Sequence, residues 1–491
     1  MPNLPDFFKG FTPLLLSFSL GILLLAGGCS DEENDEGHKT AISTGCQSCH
    51  AVDIDQSHQF SCTKCHGGIE GRKDIEESHQ GLIAQPAHPD NARSFCGPCH
   101  ADQLAMVSQS NHYTLTRHLD LVRNSFIPAE QHITIEDISS STAPGTELQL
   151  VDDLLRRRCL RCHVYYQGDD FPLVTRATGC GACHLDYYDG QIVSHQFRRL
   201  PNDSRCLSCH YGNHVGSDYY GRFEHDFNEE YRTPYTTTED FFRPYGVETH
   251  QLEPDIHRKG GMVCIDCHKQ QEVMGAGPSV TCESCHDRGQ LQTNDNPSIS
   301  YMNDQYLFTS STTGSSLVLP VMVDPVHQKY APLVSCHVCH ALWTFDDEQT
   351  HLIRIDHDDL DDLEKLTLDG SSEVLQIVSS HMEFDGEWLG PVMKDKFTGV
   401  SFPGIWLKGY KQRRWENIRI EPDSEGILQV TRPILDLHLS WIDEDEISQF
   451  DNITRLPDKS GSIPYAPHTI GRAGPFYEKR LRHLDLENSN R

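Results

Sequence analysis

The chain has 491 residues, enough for two to four domains, and a formal net charge of −31 at pH 7. Such an acidic protein is repelled by phosphate backbones, which excludes nucleic acids as partners, whereas basic proteins or cationic metal species would be attracted. Hydrophobic residues make up only 37% of the sequence, so the chain needs another source of apolar surface for its core.

The N-terminus carries a targeting signal. An apolar stretch from Phe11 to Leu25 leads into Ala26-Gly27-Gly28-Cys29, which predicts a signal peptide over residues 1–28. Small residues ending on Cys and followed by Ser30 resemble a bacterial lipoprotein signal. The resemblance implies that Cys29 carries lipid and anchors the chain to a membrane, the outer membrane being favoured by Ser30. A plain cleaved signal or an uncleaved anchor is the alternative.

The acidic residues 29–44 are predicted to form a solvated, disordered tether. No later stretch approaches the ~18 apolar residues of a transmembrane helix, so none is expected in the mature chain.

Eighteen of the nineteen cysteines fall into nine copies of Cys-x-x-Cys-His. Two cysteines at this spacing can each form a thioether with a porphyrin vinyl group, and the next residue places an imidazole under the iron. Zinc ribbons do not require that His, and a disulfide scaffold would not confine its cysteines to one spacing. The sequence therefore predicts nine haem c groups. In chain order, the first to ninth motifs are Cys46/Cys49/His50, Cys62/Cys65/His66, Cys96/Cys99/His100, Cys159/Cys162/His163, Cys180/Cys183/His184, Cys206/Cys209/His210, Cys264/Cys267/His268, Cys282/Cys285/His286 and Cys336/Cys339/His340.

With these motifs between residues 46 and 340, the chain resembles the multihaem c-type cytochromes of metal- and sulfur-respiring bacteria. Asp255-Ile256-His257 ahead of the seventh motif is similar to that family as well. The resemblance implies an extracytoplasmic protein with a haem-organised, mostly irregular fold and short α-helices. It also implies partners among other redox proteins, such as cytochromes, quinol-linked donors or an outer-membrane porin.

The motif spacing gives a predicted domain plan. The nine-haem region is expected over 45–344, and its gaps allow three trihaem modules at 45–110, 150–225 and 255–344, with an ungrouped arrangement as an equal alternative. Helical periodicity predicts helices at 111–125 and 148–160. Arg156-Arg157-Arg158 could pair with haem propionates or form a solvated basic run.

Residues 345–491 differ in composition, because all five tryptophans and no cysteine lie beyond the ninth motif. Alternating apolar residues at 417–420, 427–430 and 435–441 predict strands, and hence a mainly β, haem-free domain. Its expected role is structural, with docking to a partner such as a porin as the alternative. The acidic run 356–362 lacks the order of an EF-hand loop and is interpreted as a solvated face.

Histidines supply candidates for the sixth iron ligand. Nine of the 29 histidines belong to the motifs, which leaves 20 for nine distal positions, so a fully bis-His protein is feasible. For each candidate, the alternative is a surface or structural histidine that binds no iron. The predicted distal ligands are His58, His79, His112, His118, His195, His214, His225, His257 and His327. Held in reserve are His38, His88, His132, His250, His337, His351 and His357. The histidines interpreted as structural, because they lie far from the motifs in sequence, are His381, His438, His468 and His483.

The leading functional prediction is a respiratory electron carrier rather than an enzyme. Nine centres are more than a catalyst needs, and every motif ends in His, whereas multihaem reductases often use a Lys ligand or an open haem. A reductase of a small oxyanion or sulfur compound is the first alternative. A scaffold subunit anchoring an outer-membrane cytochrome complex is the second.

Overall fold

The chain folds into short helices, several small sheets and a strand-rich C-terminal region. A computed structural model describes residues 45–127, 133–170, 173–212, 215–224, 249–293, 295–359, 372–382, 390–415, 418–433, 436–457, 461–473 and 477–481. The predicted signal peptide, Cys29 and the tether therefore lie outside the described residues.

Most motifs sit at or within a single helical turn, which suits the spacing because a turn brings residues three and four apart to one side. The α-helices, α1 to α18 in chain order, are Cys62–His66, Ile75–Ser78, Pro89–Phe95, Gly97–Val107, Asn111–Thr114, Thr116–Arg123, Glu147–Arg157, Gly181–His184, Asp203–Leu207, Gly216–Tyr219, Ile256–Lys259, Cys264–Cys267, Gln270–Val273, Glu283–His286, Arg288–Gln292, Pro325–Tyr330, Cys336–His340 and Ser372–Met382. The 3₁₀ helices are Gly45–Ser48, Gln56–His58, Ile135–Asp137 and Cys159–Cys162.

The strands concentrate after the ninth motif. In chain order, β1 to β16 are Tyr187–Tyr188, Gln191–Ile192, Arg222–Glu224, Thr249–Gln251, Ile299–Met302, Gln305–Thr309, Ser316–Val318, Asp346–Ile355, Val392–Lys394, Ser401–Pro403, Ile405–Arg414, Arg419–Pro422, Leu428–Pro433, Leu437–Ile442, Ser448–Thr454 and Ser462–Pro464. The largest sheet has the order β11-β8-β14-β15, with β8 and β14 parallel and the other neighbours antiparallel. A three-stranded sheet, β12-β13-β16, is formed by strands that alternate along the chain with those of the larger sheet.

The two predicted helices both form, with one break. The segment 111–125 is divided at Leu115, whose φ of 59° is left-handed and ends α5 before α6 begins. The segment 148–160 forms α7, where Thr146 caps the first turn by accepting from the backbone of Gln149. Burial of the apolar face of α7 explains its stability, because each buried leucine contributes about 2 kcal/mol.

The main hydrophobic core joins this helical segment to the C-terminal sheet. Leu119, Leu150 and Leu154 are fully buried in the same cluster as Trp406 and Leu439. The strand-rich region therefore shares its core with residues 115–160, so it is packed against the motif region and does not stand alone. No helix in the part of the chain that the structure describes is long and apolar enough to cross a membrane.

The three consecutive arginines before the fourth motif are drawn into this interface. Arg157 is 1% exposed and Arg158 is 9% exposed, which excludes the solvated alternative for these two side chains. Each arginine has a partner in the C-terminal region: Arg156 with Asp395 at 2.5 Å, Arg157 with the carbonyl of Pro403 at 2.8 Å and Arg158 with the carbonyl of Trp406 at 3.1 Å.

Candidate haem-binding sites

Eight of the nine motif histidines lie opposite a second histidine. The ring centroids are 5.6–6.2 Å apart, while the angle between the ring planes ranges from 3° to 89°. The pairs are His50–His79, His66–His195, His100–His58, His163–His118, His210–His112, His268–His468, His286–His257 and His340–His327.

This separation fits an iron between two imidazoles. Two metal–nitrogen bonds of about 2 Å, with the ring radii added, place the centroids about 6 Å apart. Rotation of each ring about its bond to the iron leaves the interplanar angle free, as the observed range requires. By contrast His351 and His438, on neighbouring strands away from the motifs, stack directly with centroids 4.6 Å apart.

Hydrogen bonds at Nδ1 fix the tautomer of several of these rings. A carbonyl oxygen can only accept, so a ring nitrogen bonded to it carries the proton, and the other nitrogen, Nε2, keeps its lone pair for a metal. Nδ1 donates to a carbonyl in His66 (to Ile83, 3.0 Å), His112 (to Val273, 3.1 Å), His184 (to Arg198, 2.6 Å), His286 (to Pro320, 2.8 Å) and His340 (to Gly471, 2.9 Å).

Carboxylates take the place of the carbonyl at three other rings. Nδ1 contacts a carboxylate oxygen in His58 (Asp55, 2.8 Å), His257 (Asp255, 2.8 Å) and His268 (Glu272, 3.2 Å). A charged acceptor makes the imidazole a stronger electron donor, so these rings would stabilise oxidised iron more than the carbonyl-bonded rings.

Burial keeps the deepest histidines neutral, the form that binds metals. It lowers the pKa of His118, His195 and His468, lowers the pKa of His163 well below its usual value, and lowers the pKa of His210 to about 4.

The ring of His118 has a buried nitrogen that makes no hydrogen bond to the described residues. Nε2 of His118 is buried, has no hydrogen-bond partner among the described residues and belongs to the ring facing His163. A buried polar atom without a partner is costly, and an iron ligand bond would remove that cost. The donor set therefore fits haem.

Cysteines of different motifs are neighbours in the fold. None of the eighteen motif cysteines forms a disulfide. The pairs lie close enough to interact electrostatically or to hydrogen-bond. They are Cys46 with Cys62, Cys65 with Cys96, Cys96 with Cys180, Cys183 with Cys206, Cys162 with Cys209, Cys206 with Cys264, Cys267 with Cys285, and Cys282 with Cys336.

Two of the cysteines predicted to bind haem, Cys49 and Cys99, depart from the rest because they are exposed, whereas the other sixteen are half-buried. The physical reason is that the first and third motifs lie at the surface, where His50 and His100 are exposed as well. A thioether at Cys49 or Cys99 would therefore join a haem whose edge faces water.

The cysteine neighbours place eight motifs in one continuous row: first, second, third, fifth, sixth, seventh, eighth and ninth. The fourth motif branches from the sixth through Cys162 and Cys209. Histidine pairs also join parts of the chain outside one predicted module, since His66 of the second motif faces His195 in the second module and His210 of the sixth motif faces His112 between modules.

Seven of the nine histidines predicted as distal ligands face a motif histidine: His58, His79, His112, His118, His195, His257 and His327. The other two, His214 and His225, lie outside the described residues. His184 of the fifth motif faces no second histidine ring within the described ranges.

His468 is the residue that sequence reasoning missed. It was expected to be structural because of its distance from the motifs, yet its ring lies 6.0 Å from that of His268, across 200 positions of sequence. The only sequence signal that could have pointed to His468 was that the chain has more histidines than the motifs use. Its position also ties the C-terminal region, expected to be haem-free, to the seventh motif.

Among the reserve histidines that the structure describes, His337 lies inside the ninth motif and the others lie outside the motifs. His88 packs its ring against Tyr165, His250 stacks on Phe223 and His357 is buried. Within the described ranges no three His, Cys, Asp or Glu side chains converge as an ion site. Bis-His haem ligation needs no such cluster, because the porphyrin supplies the remaining nitrogens.

Comparison with protein-family models, curated proteins and solved structures found no match to this chain.

Proposed function

We propose that this protein is a multihaem c-type cytochrome that carries electrons through nine covalently bound haems in extracytoplasmic respiration. The observation that carries the proposal is the set of eight histidine pairs, each pairing a motif histidine with a second ring about 6 Å away. Haem c held between two imidazoles exchanges single electrons without binding a substrate.

The continuous row of motifs supports conduction as the role. Cysteines of neighbouring motifs approach each other from Cys46 and Cys62 at one end to Cys282 and Cys336 at the other. Groups attached at those cysteines would be close neighbours, and the residues of the chain serve to orient them and to fix their ligands.

The site of action follows from the sequence expectations. We infer a lipid anchor at Cys29 and an outer-membrane location, on either the periplasmic or the outer face. Partner proteins would be redox proteins such as cytochromes or quinol-linked donors, or a porin that passes the chain through the membrane.

A carbon monoxide titration of the reduced protein, with electron paramagnetic resonance of the oxidised protein, tests the proposal. Nine low-spin haems and no stoichiometric CO shift are expected, because CO needs a free axial position. A full equivalent of CO-binding or high-spin haem would favour the reductase alternative. The place to look is the fifth motif, whose second ligand is not among the described residues. A chain purified from a haem-competent host without covalent haem would refute both.

A further inference from the structure

Residues 468–471, which we call the C-terminal ligand segment, contact the seventh and ninth motifs directly. His468 faces His268 of the seventh motif at 6.0 Å. The carbonyl of Gly471 accepts from Nδ1 of His340 in the ninth motif at 2.9 Å, and the amide of Gly471 donates to the His340 carbonyl at 3.0 Å. The segment therefore supplies a facing ring to one motif and the tautomer-fixing bond to another.

Asp255 links this segment to the eighth motif. Its Oδ1 atom accepts from Nδ1 and from the backbone N–H of His257, both at 2.8 Å, and His257 faces His286. Its Oδ2 atom accepts from the N–H of Ile470 at 2.7 Å. The Asp255 carboxylate thus holds both the ring of His257, which faces the eighth motif, and the backbone of Ile470. Ile470 lies between His468, which faces the seventh motif, and Gly471, which bonds to the ninth.

The segment is held too firmly to move independently of these contacts. Thr469 is fully buried, and its hydroxyl donates to the carbonyl of Trp343, while its own carbonyl accepts from Leu342 at 2.9 Å. At Gly471 a Cβ would lie 2.7 Å from the end of the Leu342 side chain, so either that side chain or the segment would have to shift. Asp255 itself is 2% exposed, which shields its hydrogen bonds from competing water.

We propose that Asp255 and the C-terminal ligand segment form one positioning unit that sets the axial ligation of the seventh, eighth and ninth haem motifs together. The inference rests on the proposed function, since it assigns roles to residues that orient haem ligands. Asp255 acts through His257 and through the segment backbone, and it touches no cofactor itself. The last three sites of the row are thereby expected to respond as a group, unlike sites whose ligand rings are held separately.

The test is Asp255→Asn in the full-length haem-loaded protein, read by electron paramagnetic resonance and by a potentiometric titration. The amide removes the negative charge beside His257. It also places an N–H group opposite a group that is itself a donor, either Nδ1 of His257 or the backbone N–H of Ile470. We expect the signals of at least two haems to change and a high-spin fraction to appear, with Asp255→Glu restoring part of the wild-type spectrum.

Glu272→Gln is the control, because Glu272 contacts Nδ1 of His268 at 3.2 Å and is bonded otherwise to Ser279, not to Asp255 or to the C-terminal ligand segment. It should alter a single haem signal. If Asp255→Asn also alters only one haem, or none, the positioning unit is refuted while the electron-carrier proposal stands. A wild-type protein without low-spin bis-His signals would instead refute the proposed function.

A second variant covers the case in which Asp255→Asn fails to fold. Gly471→Ala leaves the carboxylate intact but crowds the segment against the Leu342 side chain. We expect it to change signals of the seventh and ninth sites together. A change at the ninth site alone would overturn the proposal.

Discussion

Replacing Asp55 with Asn should raise the reduction potential of the haem that we propose between His58 and His100. In the native protein the carboxylate of Asp55 accepts from Nδ1 of His58 at 2.8 Å and from the backbone of Ser57 and Phe197 at 2.9 and 3.1 Å. Burial opposes ionisation, but these hydrogen bonds outweigh it and lower the pKa of Asp55, so the charge is present at neutral pH. Asn keeps the shape and can still accept from His58.

The expected magnitude follows from the geometry. The rings of His58 and His100 are 6.0 Å apart, so their midpoint lies about 7 Å from the carboxylate after the 2.8 Å bond and the ring width are added. At an effective dielectric constant of about 20, a unit charge at that distance contributes about 2 kcal/mol. This energy equals about 100 mV for one electron. The Asp55 side chain is 20% exposed, so screening reduces the expected shift to about 50–100 mV.

A potentiometric titration followed by electron paramagnetic resonance measures this shift as the difference between the variant and the wild type. One of the nine components should move to higher potential and eight should stay in place. Asp74→Asn is the control, because it removes the same charge from a carboxylate that caps a helix by accepting from the backbone of Glu77. An unchanged titration, or a shift to lower potential, would refute the reasoning.

Three further changes test other parts of the account. Trp406→Phe removes the 2.8 Å hydrogen bond from the indole to buried Asp153 and should lower the free energy of unfolding by about 2 kcal/mol in urea titrations; an unchanged midpoint would contradict the shared core. His468→Ala should leave the haem at His268 without its sixth ligand, giving one equivalent of CO-binding haem, and no CO binding would remove His468 from the ligand set. Arg480→Met removes the buried donor from the carbonyl of Val338 in the ninth motif and from that of Ala341 just after it, and should destabilise the protein by about 2–3 kcal/mol. A loss below about 0.5 kcal/mol would show that water replaces the donor.

Local pattern in the sequence predicted local structure well. Alternation at 427–430 and 435–441 corresponds to Leu428–Pro433 and Leu437–Ile442, because a strand with one buried face must alternate. The helix over 148–160 also formed close to its predicted bounds. The break at Leu115 could not be predicted, since leucine rarely adopts a left-handed backbone and the residue type gives no sign of it.

The sequence predicted many of the facing histidines but not which motif each one faces, as His195 opposite His66 shows. His327 lies just before the ninth motif and faces it, whereas His257 lies just before the seventh motif but faces His286 of the eighth. His468 faces His268 because the strand-rich region folds back onto the motifs, and spacing carries no information about that return. The gaps between motifs suggested three groups, which stay a prediction, and they gave no sign that the fourth motif would branch from the sixth.

The exposure of individual motif cysteines was equally hidden from the sequence. Cys49 and Cys99 occupy the same place in the motif as the half-buried Cys65, so the pattern treats all three alike. Burial depends on which other segments pack over each motif, and that packing is set by distant parts of the chain.

An experimental density map of the purified, full-length protein would test the central claim most directly. The account predicts planar porphyrin density between each of the eight histidine pairs, continuous with both cysteines of the adjoining motif, and a ninth porphyrin at His184. Imidazole rings in direct contact, as in the 4.6 Å pair of His351 and His438, or a small ion held by the motif cysteines, would contradict it.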